Sequence, residues 1–171
     1  VEARKKHLEL FEGLAASYDD EQLNAYEYKG HLQLADAVRA ALEAGRTDNA
    51  VLDLGVGTGL CGSLLRDVSG QLIGVDFSAN MLAVAAKLKT PQGRPLYDML
   101  VHKEVGAYLS DVAKEAYDVV LAAGLLSYIG DVKTLFTQVA AALKAGANQL
   151  AVGLPNGYIG YRIYLSHSEP K

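Results

Sequence analysis

Cys61 is the only cysteine, so no intrachain disulfide can form and a disulfide-stapled secreted scaffold is excluded. A reducing, cytoplasmic setting is the expectation that follows. No apolar run approaches the ~18 residues of a membrane helix, and residues 1–13 carry no leader-like apolar segment, so no membrane association is expected. Basic residues are not in surplus. Lysine and arginine total 16 against 20 acidic residues, a net charge of −4, which argues against a broad nucleic-acid-binding face. The tyrosines are not interleaved with a basic run, so no stacking platform for bases is expected either. His7, His31, His102 and His167 show no metal-ligand spacing, and one cysteine cannot build a zinc site. Ser63 lacks the GxSxG setting of a nucleophile elbow. Neither repeats nor low-complexity segments occur. What remains is a chain of 171 residues, 50% hydrophobic, long enough for one domain with a sizeable core.

That domain is organised around VLDLGVGTGLCG, residues 51–62. A short apolar run followed by Gly55, Gly57 and Gly59 reads as a buried parallel strand ending in a tight turn that opens a helix. Glycine allows the backbone to turn with positive φ and a ligand to approach closely. Further on, QLIGVD ends at Asp76, an acid placed to accept hydrogen bonds from ribose hydroxyls. Strand, loop, helix, strand and terminal acid together point to a nucleotide-type cofactor. Gly57-Thr58-Gly59-Leu60-Cys61-Gly62 also satisfies GxGxxG, so an NAD-dependent oxidoreductase is an alternative. Against it stand Asp53 before the loop, the additional Gly55, and the lack of a tyrosine–lysine pair at dehydrogenase spacing.

At these residues the chain resembles the class I S-adenosylmethionine-dependent methyltransferases. Asp53-Leu54-Gly55-Val56-Gly57-Thr58-Gly59 and Gly74-Val75-Asp76-Phe77-Ser78 match that family's first two motifs. Tyr117 to Ala123 resembles its fourth strand, and Leu143-Lys144-Ala145-Gly146 its LKPGG turn. The resemblance covers roughly residues 11 to 155, and it bears on the cofactor half rather than on the acceptor.

Periodicity predicts helices over 2–16, 31–44 (capped by Gly45), from the glycine loop to about Asp67, after Ser78, over 106–114 and after Asp131. Strands are predicted at 50–54, 71–76, 99–102, 117–123 and 148–154, with Ser69-Gly70 a turn and Pro91, Gly93, Gly146 and Pro155 as stops. Met81, Leu82, Ala85 and Leu88 face inward in the helix after Ser78. The alternation implies an α/β fold: a doubly wound, mainly parallel sheet with helices on both faces. One methyltransferase-like domain is expected: a helical lid over 1–28, a cofactor-binding core over 29–155 and a carboxyl end over 156–171. The family sheet has seven strands, the last two antiparallel. Residues 156–171 hold too few for a helix and two strands, although Tyr158 to Leu165 suits one strand. An incomplete sheet edge would favour a homodimer.

The resemblance implies roles for individual residues. Asp53 reads as a turn-capping acid or, by the family, as a partner for the amino end of the cofactor's methionine. Gly55, Gly57 and Gly59 shape the loop, and Asp76 takes the ribose. Phe77 and Met81 pack on adenine, with Met81 equally suited to the core. Glu104 accepts from the adenine amino group, Ala122 ends strand four beside the cofactor, and Tyr18 reaches the site from the lid. Gly124 stands where many relatives carry a polar side chain, and Tyr128 is a candidate pocket wall. The implied activity is methyl transfer from S-adenosylmethionine, with S-adenosylhomocysteine as product, to a small-molecule acceptor. A catalytically weak cofactor-binding partner protein is the other alternative. No catalytic residue is assigned, because in-line displacement from a sulfonium rests mainly on alignment.

Overall fold

The apolar run before the glycine loop forms strand β1, Asn49–Leu54, near the middle of a six-stranded sheet. The structure is a computed structural model, and it describes residues 2–25, 27, 29–145, 150–153 and 161–163. Strand β1 is flanked by β2 (Ser69–Asp76) and β4 (Val119–Ala123), both parallel to it. Beyond β2 lies β3 (Met99–His102) and beyond β4 lies β5 (Leu150–Gly153), again parallel. The last strand, β6 (Tyr161–Ile163), runs antiparallel to β5. The order β3-β2-β1-β4-β5-β6 reverses direction between β1 and β4, which opens a crevice at the carboxyl ends of these strands.

Alternation along the strands builds two cores. Val51, Leu72, Val119 and Leu121 face one side, where α3 (Gly30–Ala41), α4 (Leu60–Leu65) and α5 (Ala79–Ala85) supply Leu34, Val38, Leu65 and Leu82. Leu52, Leu54, Ile73, Val75 and Val120 face the other, beneath α6 (Val105–Asp111) and α7 (Val132–Ala142) with Leu109, Leu135 and Val139. The central strands are buried on both faces and mostly apolar, as a covered parallel sheet requires, with Asn49, Asp53 and Asp76 buried among them. The amino-terminal segment comprises α1 (Glu2–Leu14), the single turn α2 (Tyr18–Asp20) and a π-type turn, Glu21–Ala25. Helix α1 lies at the start of α5, where Glu12 Oε1 accepts from the Ala79 backbone at 2.7 Å and Asn80 Nδ2 donates to the Glu12 carbonyl at 3.0 Å.

Caps and strand starts differ from the periodicity. Helix α3 stops at Ala41 because Leu42 turns extended (ψ 153°), and Gly45 (φ +82°) serves the following turn rather than a cap. Helix α5 ends at Ala85, and Leu88 packs into the core from the segment after it. Pro91 and Gly93 belong to a separate turn, in which Thr90 and Arg94 are joined through their backbones. Ser69 and Gly70 open β2 instead of forming a turn, with Ser69 paired to Asn49. Strand β4 begins at Val119, while Tyr117 is held to Leu143 by an isolated bridge. Strands β5 and β6 fall inside the segments expected at 148–154 and 158–165. Tyr26, Tyr28, Gly146, Pro155 and the tail from 164 lie outside the described residues.

Candidate functional site

The site grows from one register step between β1 and β2. Their last pair is Leu54↔Val75. There the β1 chain leaves the sheet: Gly55 takes φ +67°, and the N–H groups of Gly55 and Val56 both donate to the Val75 carbonyl, at 2.9 and 3.1 Å. Asp76 is one residue further along β2, level with the departing loop and at the mouth of the crevice. Its Oδ2 accepts from the Gly57 N–H at 2.8 Å and its Oδ1 from the Ser78 N–H at 2.9 Å. A carboxylate has about four lone-pair positions, so two backbone bonds leave capacity for further donors. Burial raises the Asp76 pKa above its ordinary value, opposed by the N–H groups of Ser78, Gly57 and Phe77.

The loop is fastened from several sides. Gly57 and Gly59 also have positive φ, +54° and +94°. Thr58 Oγ1 donates to Asp19 Oδ1 at 2.5 Å, tying α2 to the loop. Leu125 presses on Gly55 from the turn after β4.

A cavity of about 600 Å³ opens at this crevice. Its wall includes Tyr18, Gly55, Gly57, Asp76, Phe77, Met81 and Glu104, seven of the residues singled out in the sequence. Ser78 caps α5 through its hydroxyl, which accepts from the Met81 N–H at 3.1 Å. Met81 is nearly inaccessible, at 2%, so it is both core and wall. Glu104 caps α6, its Oε2 accepting from the Ala107 N–H at 2.9 Å. Gly124 and Tyr128 reach the cavity too, and a side chain added at Gly124 would enter open space.

Three of the singled-out residues are not brought to the cavity. Asp53 is 1% exposed and lies two residues deeper than Asp76, opposite Gly74. There Tyr97 Oη donates to its Oδ2 at 2.9 Å. Tyr97 covers the carboxyl from the interior, and Asp53 is a buried acid outside the cavity lining. Desolvation pushes the Asp53 pKa up to about 7, against the pull of the Tyr97 hydroxyl. The same burial, and next the Asp53 charge, raises the Cys61 thiol well above its ordinary value. Gly59 is buried under Leu88 and Tyr97. Ala122 is 1% exposed within β4, and Ala123 and Gly124 form the wall above it.

The cavity wall also contains residues to which the sequence reading gave no individual site role: Arg4 and His7, together with Phe11, on α1, and Thr134 and Gln138 on α7. Their spacing carried the signal, since 4, 7 and 11 share one helix face, as do 134 and 138. Phe11 packs against Phe77, Tyr18 and Tyr128, and His7 sits edge-on to Tyr128 at 5.0 Å. Asp131 caps α7, accepting from Thr134 through both its backbone N–H and its hydroxyl.

Comparison with known proteins agrees with this architecture. The sequence matches the model of the methyltransferase domain family over residues 52–148, more than half of the chain. No curated protein matches it. Among solved structures, a SAM-dependent methyltransferase from Thermotoga maritima is similar at TM-score 0.60 and 20% identity, covering 84% of this chain and 59% of its own. Phosphoethanolamine N-methyltransferase 1 of Haemonchus contortus, solved with phosphoethanolamine and S-adenosylhomocysteine, gives TM-score 0.67 at 14% identity. That match covers 99% of this chain and 37% of the nematode protein. The second N-methyltransferase of that organism gives 0.56 at 25% identity, covering 69% and 27%. Three further neighbours are spanned over only 50% to 64% of their length. The chain belongs to the methyltransferase domain family, in the class I S-adenosylmethionine-dependent group whose product is S-adenosylhomocysteine.

Proposed function

We propose that this chain is a methyltransferase unit that holds S-adenosylmethionine along the glycine loop, Asp76 and Glu104, and presents its methyl group to a small-molecule acceptor. The observation that carries the reading is Asp76, a carboxylate fixed by two backbone N–H groups at the cavity wall with lone pairs to spare. Those lone pairs suit the two ribose hydroxyls. Glu104 uses Oε2 for its helix cap, which leaves Oε1 for a further donor. Phe77 and Met81 offer apolar surface to a purine. When bound, the cofactor supplies an electrophilic methyl group on its sulfonium, so the protein's contribution is alignment and exclusion of water.

The residues on α1 and α2 act as a lid in this reading. Phe11 closes an aromatic contact with Phe77 and Tyr128, and the Asp19–Thr58 bond anchors the segment to the loop. The acceptor space lies among His7, Ser127, Tyr128 and Thr134. A cavity of about 600 Å³ matches the size of small-molecule sites, which supports a small acceptor. The buried, lone Cys61 suits a reducing, cytoplasmic compartment. Among the described residues, no helix is long and apolar enough to cross a membrane.

The test is calorimetric titration with S-adenosylmethionine, S-adenosylhomocysteine and NAD in parallel, followed by methyl-transfer assays on acceptor panels. Binding of the first two without NAD is the expected result. Binding of NAD alone would replace this reading by the oxidoreductase one, and cofactor binding without transfer to any acceptor would favour a binding partner.

A further inference from the structure

One polar atom at the cavity edge has no partner among the described residues: Oε1 of Gln138 is buried and accepts no hydrogen bond. The other end of the same amide is fully engaged. Gln138 Nε2 donates to the Gly106 carbonyl at 3.2 Å and to Ser110 Oγ at 2.9 Å, so α7 holds α6 and the direction of Oε1 is set. Gln138, Gly106 and Glu104 all line the cavity. A side chain beginning at Gly106 would find Gln138 Oε1 at 3.7 Å, and the Glu104 carboxylate oxygens at 3.2 and 3.6 Å. Because Gly106 has no side chain, the amide oxygen and the carboxylate both come close to the position that its Cβ would take. A buried acceptor left unmatched costs roughly 1–3 kcal/mol, so an arrangement of this kind favours a ligand that brings N–H donors.

We propose that Gln138 is a specificity-determining residue of the cofactor site. Its Oε1 and the Glu104 carboxylate form a pair of acceptors for the two hydrogens of a primary amine on a purine ring. Neither oxygen offers a hydrogen, so the pair accepts a 6-amino purine and rejects a 6-oxo purine, which presents an acceptor at the same place. This rests on the methyltransferase reading above and adds to it a residue from α7, an element that follows the cofactor motifs by more than fifty positions.

The test compares S-adenosylhomocysteine with its 6-oxo analogue, S-inosylhomocysteine, by calorimetry on the parent, Gln138→Met and Ser110→Ala. The parent is expected to prefer the amino form by at least about tenfold. Gln138→Met keeps the length of the side chain and is expected to shrink that preference by roughly fivefold, the worth of one neutral hydrogen bond. Ser110→Ala removes one of the two bonds on Nε2 and leaves the Gly106 carbonyl to hold the amide, so it is expected to keep the parental preference. An unchanged preference in Gln138→Met, with S-adenosylhomocysteine still bound, overturns the inference alone. An equal loss in Ser110→Ala also overturns it, since Gln138 would then act only by holding α6. A parent that binds neither nucleoside removes the methyltransferase reading and this inference with it. Thermal melts of each variant establish that folding is retained.

Discussion

Asp53, next to last in β1, and Asp76, last in β2, lie on the same face of the sheet, yet they live in different places. Asp53 is paired opposite Gly74, beneath the glycine loop, and takes its hydrogen bond from Tyr97. Asp76 lies just past the last β1–β2 pair and takes its bonds from the loop backbone itself. Two residues along a strand is about 7 Å, and that distance separates a core acid from a wall of the cavity. Both carboxyls are raised in pKa by burial, but only Asp76 has lone pairs directed to a space where a ligand fits. Position relative to the point where the chain leaves the sheet decides which acid reaches the cavity wall.

The largest effect that sharpens this contrast is on stability against pH. Asp53 titrates near 7 in the folded chain against an ordinary 3.8, so the folded state holds a proton that the unfolded state releases. Its contribution is fully present below about pH 4 and declines as pH rises to about 7, an effect on the order of 4 kcal/mol. Asp53→Asn removes the titrating group. The difference between parent and variant in urea-unfolding free energy should therefore slope downward across that window and flatten above it. A difference independent of pH would mean that Asp53 is not the buried acid described.

A smaller effect comes from the ring that covers Asp53. In a helix interior, Gly→Ala normally stabilises by about 0.5–1 kcal/mol. At Gly62 the new Cβ would lie 2.1 Å from Tyr97 Oη, inside a packed core. Gly62→Ala should instead destabilise by about 1–3 kcal/mol as the tyrosine is displaced from Asp53. A raised melting temperature would break the argument.

The smallest effect belongs to the mouth. Glu12→Ala deletes the side-chain bond that Glu12 accepts from the Ala79 N–H and leaves the Asn80 bond to the Glu12 carbonyl. About 0.5–1 kcal/mol of docking should be lost, seen as faster hydrogen exchange over residues 2–14 with the exchange of β1 and β2 unchanged. Equal exchange in parent and variant would show that the Glu12 side chain does not hold α1 in place.

The doubly wound sheet was legible because strand and helix periods alternate cleanly, and Asp76 was legible because an acid closing an apolar run must emerge at a strand end. Asp53 looked equivalent, since two residues of depth leave no mark in a single strand. Its covering residue, Tyr97, comes from a loop 44 residues away, and nothing local announces that it will fold over the acid. Gln138 was passed over for a related reason. Its amide bridges two helices that meet only in the folded chain. Helix ends were misplaced where apolar spacing continues beyond the hydrogen-bonded turns, as at Leu88. Ser69 and Gly70 read as a turn by composition, whereas the sheet extends through them because the backbone of Asp48 runs alongside.

The contrast between the two acids is tested most directly by titrating S-adenosylhomocysteine into Asp76→Ala and Asp53→Asn under the same conditions. Two charge-assisted bonds at roughly 1.5–3 kcal/mol each predict a loss of at least about a hundredfold in affinity for Asp76→Ala. Asp53→Asn keeps an acceptor for Tyr97 and should stay within about threefold of the parent. Full affinity in Asp76→Ala, or a greater loss in Asp53→Asn, would contradict the assignment of the cavity mouth as the cofactor site.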